Sequence, residues 1–159
     1  MYMAERTGIA GVRVDGMQVI RRGANGKATT FLNVDLDIYG RSSLEPLVSA
    51  FGQTVDVLHV GREGLLYSAH LELAGYPKNA DGAIRNFAKL VQGLPPAERK
   101  LWDAASRREF NVGVQAALRD RPFEIEIAPR TIQIVSMLNA RIVVTVYAPE
   151  LVTGRVVRK

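Results

Sequence analysis

From Leu32 to Tyr39 the chain alternates without a break: Leu32, Val34, Leu36 and Ile38 are apolar, and Asn33, Asp35, Asp37 and Tyr39 stand between them. Successive side chains of a strand point to opposite faces, so this period of two sorts the apolar set from the polar set. A helix would scatter the same residues around its circumference. The segment therefore demands a sheet with one covered face and one open face, and the rest of the chain must supply the cover. Gly40-Arg41 ends the strand, and Ser42-Ser43-Leu44-Glu45 has the spacing of a capping box. Leu44, Leu47, Val48 and Phe51 follow at helical spacing, with Pro46 in the first turn and Gly52 as the stop.

The same reading extends to the C-terminal side. Residues 54–60 and 65–74 form two strands around Gly61-Arg62-Glu63-Gly64, with Tyr67, Ala69, Leu71 and Leu73 on one face of the second. Asn79 opens a longer helix with Ile84, Phe87, Ala88 and Val91 on one side. Gly93-Leu94-Pro95-Pro96 breaks it, and Pro96 starts a shorter helix that points Leu101 and Ala105 inward. Phe110, Val112 and Val114 mark a strand, and Phe123 to Ile127 another short one. Pro129 opens a last helix with Ile132, Val135 and Leu138 inward, closed by Asn139. Arg141 to Tyr147 is the closing strand; being apolar at nearly every position, it is predicted to be central. The sum is an α+β fold. It starts as a ferredoxin-like split β-α-β, appends a helix–strand unit, and lays its helices on one face of a mixed sheet.

A chain of 159 residues with 47% hydrophobic and 23% charged side chains suits one globular domain. The net charge of +5 is unevenly placed. Residues 1–30 carry five basic and two acidic side chains, residues 150–159 three and one, and 31–149 thirteen of each. Residues 1–29 accordingly read as a basic, glycine-punctuated arm, in which Val12, Val14 and Val19-Ile20 suggest a short hairpin. Residues 30–149 read as the domain and 150–159 as a basic tail. No stretch has the length and apolarity of a membrane helix, and the first residues lack the pattern of a secretory signal. With no cysteine there is no thiolate nucleophile and no disulfide framework. The expected location is the cytoplasm.

Asp37-Ile38-Tyr39-Gly40 leading into a helix through Leu44 and Leu47, then a hairpin, a helix pair, the Asn111-to-Gln115 strand and a closing strand ending in Val146-Tyr147, form a pattern over about residues 30–148. It resembles a group of bacterial α+β domains of unknown function, some of them thought of as immunity-like or accessory proteins. The resemblance implies an architecture and transfers no residue role.

Candidate chemistry concentrates on the sheet. Asp35 and Asp37 share a strand face about 7 Å apart, a spacing suited to holding a cation or sharing a proton. His59 and His70 are the only histidines. Pairing Val60 with Leu65 places them on one face but about 13 Å apart, too far to share a metal. Glu72 lies two residues beyond His70 on that face. Tyr39 and Tyr147, each at a strand end, are candidates to frame a pocket. Asp35, Asp37, Tyr39, His70 and Glu72 are therefore the candidate ligand-binding residues. Trp102 with Arg99 and Arg107 (Lys100 and Arg108 alongside) is the candidate interaction surface. No phosphate-cradling loop, serine elbow or metal-ligand motif is present, so no catalytic residue, metal or cofactor is assigned.

The leading expectation is a non-enzymatic binding or protein-interaction module acting on a protein partner or on a second copy of itself. The alternative is a small-molecule- or metal-binding domain, or an enzyme, using the sheet-face carboxylates. Weak nucleic-acid binding through the basic tails ranks last.

Overall fold

The computed structural model describes residues 12–14, 17–19, 28–118 and 121–149. The expectations for the rest of the 1–29 arm and for the 150–159 tail lie outside the described residues. Val12–Val14 (β1) and Met17–Val19 (β2) pair antiparallel as a small separate hairpin, in line with the expectation for that stretch. The main body runs β3 (Thr30–Gly40), α1 (Glu45–Phe51), a 3-10 turn (Gly52–Thr54), β4 (Val55–Glu63), β5 (Leu66–Leu73), α2 (Ala80–Gln92), α3 (Pro96–Ala104), β6 (Arg107–Gln115), α4 (Pro129–Met137) and β7 (Arg141–Tyr147).

The five strands form one mixed sheet in the order β4-β5-β3-β6-β7. Its first four strands are mutually antiparallel, and β7 joins β6 in parallel. The alternating strand, β3, is central. Its Val34, Leu36 and Ile38 are buried beside Ala69 and Leu71 of β5 and Phe110 and Val112 of β6. The helices cover that face with Leu47, Val48 and Phe51 from α1, Ile84, Phe87 and Val91 from α2, Trp102 from α3 and Val135 from α4. Each fully buried side chain of leucine or phenylalanine size contributes on the order of 2 kcal/mol by leaving water. An α+β fold with a five-stranded mixed sheet and four helices is thus established. Among the described residues no helix is long and apolar enough to cross a membrane.

Several local expectations need correction. The capping box does not form: the residue before α1 is Leu44, which makes no side-chain cap, and Ser43 Oγ accepts from Glu45 N–H at 3.3 Å. By contrast Asn79 caps α2 as expected, its Oδ1 accepting from Gly82 N–H at 2.8 Å. Phe123 to Ile127 is not a strand; the segment runs as an extended strap, tied to α2 where Asp81 Oδ1 accepts from Ala128 N–H at 3.0 Å. In α4 the buried residues are Thr131 and Val135, and Ile132 is exposed. Finally β7 is an edge strand among the described residues, where it joins last and pairs with β6 alone.

Trp102 is fully buried, and its indole N–H donates to Leu138 O at 3.1 Å. It offers no ring surface to a partner. Arg108, next to it, is buried as well. Its guanidinium donates to the carbonyls of Trp102 (2.8 Å), Asn139 (2.9 Å), Asp103 (3.0 Å) and Ala105. The last turn of α3 leaves carbonyls without intrahelical partners, and Arg108 satisfies them from the sheet. Burial holds the Arg108 pKa below its usual value. The expected interaction surface is therefore dismantled. Trp102 is core, Arg99 pairs along its own helix with Asp103 at 3.0 Å, and Arg107 lies on the other face of the sheet.

Candidate functional site

The face turned away from the helices carries the polar half of the β3 alternation. Because β3 is central, these side chains stand in the middle of the sheet rather than at a solvated rim. Cross-strand register places Asp35 opposite Glu72 and Asp37 opposite His70 on β5. On the other side Asp35 faces Asn111 and Asp37 faces Glu109 of β6. The five candidate ligand residues thus form one contiguous patch.

Two hydrogen-bonded units make up the patch. In the first, His70 Nδ1–H donates to Asp37 Oδ1 at 2.7 Å, with Asp37 only 8% exposed. The other ring nitrogen, Nε2, lies 3.8 Å from Glu63 Oε1. The hydrogen bond to Asp37 raises the His70 pKa against the opposing effect of burial, and the charges of Asp37, Glu63 and Asp35 add to the rise. In the second unit Asp35 and Glu72 face each other across the strands. Asn33 clamps them, its Nδ2 donating to Asp35 Oδ1 at 2.9 Å and to Glu72 Oε1. Burial first, then the charges of Glu72 and Asp37, push the Asp35 carboxyl from 3.8 up to about 8. Asp35 accordingly keeps its proton at neutral pH, which spares the patch a further charge beside Glu72 and Asp37.

Aromatic residues border both units. Tyr39 sits edge-on to His70 with ring centroids 5.6 Å apart, and the Arg107 guanidinium lies 3.8 Å above the Tyr39 ring. Tyr147 belongs to the same electrostatic field: burial raises its pKa first, followed by the charges of Asp35, Asp37 and Glu72. At the β7 side Arg141 and Arg107 both approach Glu109, at 3.5 and 3.6 Å. Thr145 Oγ1 donates to Asn111 Oδ1 at 2.7 Å.

In comparisons with known proteins no family model matches this chain, no curated protein matches it, and no solved structure matches its fold. Residue roles therefore rest on geometry and chemistry alone.

The histidines correct the sequence reading. The hairpin turn is Gly64-Leu65, with Gly64 at φ 61°, and β4 continues to Glu63, which pairs with Leu66. That register makes His59 and His70 direct cross-strand neighbours with ring centroids 5.7 Å apart. His59 Nε2 is 3.6 Å from Glu63 Oε1, outside hydrogen-bond reach. His59 Nε2 and the fully buried Ser68 Oγ, one row along, have no hydrogen-bond partner among the described residues. Both atoms are shut off from solvent, so they are unmet hydrogen-bonding capacity beneath the surface of the sheet rather than points of contact for an arriving molecule.

Asn33 and Gly113 were not singled out from the sequence. A Cβ built on Gly113 would stand 2.8 Å from Asn33 Oδ1, so the absent side chain is what lets Asn33 fold over β6 toward its carboxylates. A glycine inside the Val112-Gly113-Val114 strand is the signal that could have found it, since interior strand glycines mark close approach. Among the described residues no three His, Asp or Glu side chains are arranged to hold a metal ion.

Proposed function

We propose that this chain is a binding module whose open sheet face holds a small polar molecule through a cationic amine or guanidinium group. The observation that supports this reading is the Asp35–Glu72 carboxyl pair, clamped by Asn33 and flanked by Asp37. The Asp35 proton keeps a further charge off that pair when nothing else does, and a ligand cation can replace it. The exchange releases the repulsion that keeps Asp35 protonated, and the partly desolvated surroundings strengthen the new ion pair. Tyr39 offers its ring to the remainder of the ligand.

Because cation and proton compete for one site, affinity should rise with pH up to about 8, where Asp35 gives up its proton unaided, and level off above. Calorimetric titration with a panel of small amines and guanidines tests the reading, with carboxylates, phosphates and divalent cations as controls. Amines should bind, the Asp35→Asn/Glu72→Gln double variant should lose them, and the gain with pH should vanish with the carboxyls. A panel in which only anions or only divalent cations bind would sink it.

A second reading is favoured by the Asp37–His70 hydrogen bond. An imidazole oriented by a buried carboxylate, beside a protonated carboxyl, has the parts needed to move a proton on a bound molecule. His70→Gln separates the two readings: it spares affinity and abolishes turnover if the dyad transfers protons, and changes affinity alone if it does not.

The order β4-β5-β3-β6 followed by α4 and β7 supports treating the scaffold as a ferredoxin-like split β-α-β core with an appended helix–strand unit.

A further inference from the structure

The two edges of the sheet are built differently. The β4 edge carries Asp56, Arg62 and Glu63, and its pairing with β5 shifts register between Val57 and His59. Charge and a bulge are the usual defences of an exposed edge against further strands. The β7 edge has no bulge, and its one charge, Arg141, stands at its start. Ile142-Val143-Val144-Thr145-Val146-Tyr147 bears no formal charge, its pairing with β6 is unbroken, and β-branched residues fill all but its last position. Val144 and Val146 are 56% and 61% exposed, on the side of the sheet opposite the carboxyl cluster. Among the described residues no strand pairs with the outer side of β7.

We propose that β7 pairs antiparallel with β7 of a second copy about a twofold axis at Val144, joining two sheets into one. The backbone has the right parity. Ala116 N–H donates to Tyr147 O at 3.0 Å, so the peptide groups of Tyr147 and, by alternation, Thr145 and Val143 turn toward β6. Those of Ile142, Val144 and Val146 turn outward. An axis at Val144 makes Val144 and its twin a hydrogen-bonded pair and sets Ile142 against the second copy's Val146. The side chains also agree. The one charge in the strand, Arg141, falls opposite the second copy's Tyr147, where a guanidinium and a ring attract, and no like charges meet. The same operation buries both exposed valines. An isologous contact of this kind closes on itself and leaves the charged, bulged β4 edges at the two ends of the joined sheet.

The test is sedimentation of the full chain over a range of concentrations, with circular dichroism checking the fold of each variant. Wild type should dimerise as concentration rises. Val144→Lys should weaken the dimer by roughly tenfold or more, and Val57→Lys, on the opposite edge, should leave it unchanged. As the chain has no cysteine, Val144→Cys should cross-link to its twin with a short bismaleimide while Val57→Cys does not. A chain that stays monomeric throughout, a dimer indifferent to Val144→Lys, or one broken by Val57→Lys would overturn the proposal. Because Val144 faces away from Asp35 and Glu72, amine binding and dimerisation fail independently.

Discussion

The two faces of the central sheet obey different rules although they share the same strands. Under the helices, Val34, Leu36, Ile38, Leu71, Phe110 and Val112 are dry and interlocked, and the one buried charge on that side among the described residues, Arg108, donates to four backbone carbonyls. On the open face the neighbouring positions hold Asn33, Asp35, Asp37, His70 and Glu72, with the Asp35 carboxyl pushed up to about 8 and two polar atoms unpartnered among the described residues. The covered face stores stability. The open face spends some of it to keep carboxyls close together, as binding sites commonly do.

That contrast predicts effects of opposite sign. The largest should come from the covered face. Phe110→Ala removes a fully buried ring that lies 6.2 Å from Phe87, and should cost about 4 kcal/mol in denaturant unfolding. Arg108→Ala should cost about 3 kcal/mol, since it strands the carbonyls at the end of α3 rather than merely deleting a charge.

On the open face the sign reverses. The Asp35 pKa is higher in the folded than in the unfolded chain, so its contribution to stability is complete below about pH 4 and is lost as pH rises to about 8. His70, also raised, loses its contribution on the alkaline side as well. Asp35→Asn keeps the shape and removes the titration. It should gain about 2 kcal/mol over wild type at pH 8 and lose that advantage near pH 4, measured as unfolding midpoints across pH. The smallest effect should be that of Gly113→Ala, about 1 kcal/mol. Its added methyl displaces Asn33 from the carboxyl pair, so it should weaken amine binding more than it weakens the fold.

The covered face was largely legible in the sequence because burial there follows a simple period. The β3 alternation, the apolar stripe of α2 and the Asn79 cap each stand in the structure where local pattern places them. Pattern failed where a long-range partner decided the outcome. Helical spacing turns Leu101 inward and leaves Trp102 to the surface, whereas the carbonyl of Leu138 accepts its indole N–H and the Arg108 guanidinium lies beside the ring in the core. In β7, apolar composition suggested a central strand; it instead belongs to an edge left without cover. The membership of the candidate site was readable from strand parity, which put Asp35, Asp37, Tyr39, His70 and Glu72 on one face. Its chemistry was not. The distance between the histidines depended on a two-residue turn, and the Asn33 clamp depended on Gly113 lying on a different strand.

The most direct test is a 13C NMR titration of the Asp35 side-chain carboxyl in the ligand-free protein. Asp35 should keep its proton at neutral pH and ionise near pH 8, and a bound amine should move that step to lower pH. If Asp35 is already ionised by pH 5, the open face is an ordinary solvated sheet surface and the binding site proposed here does not exist.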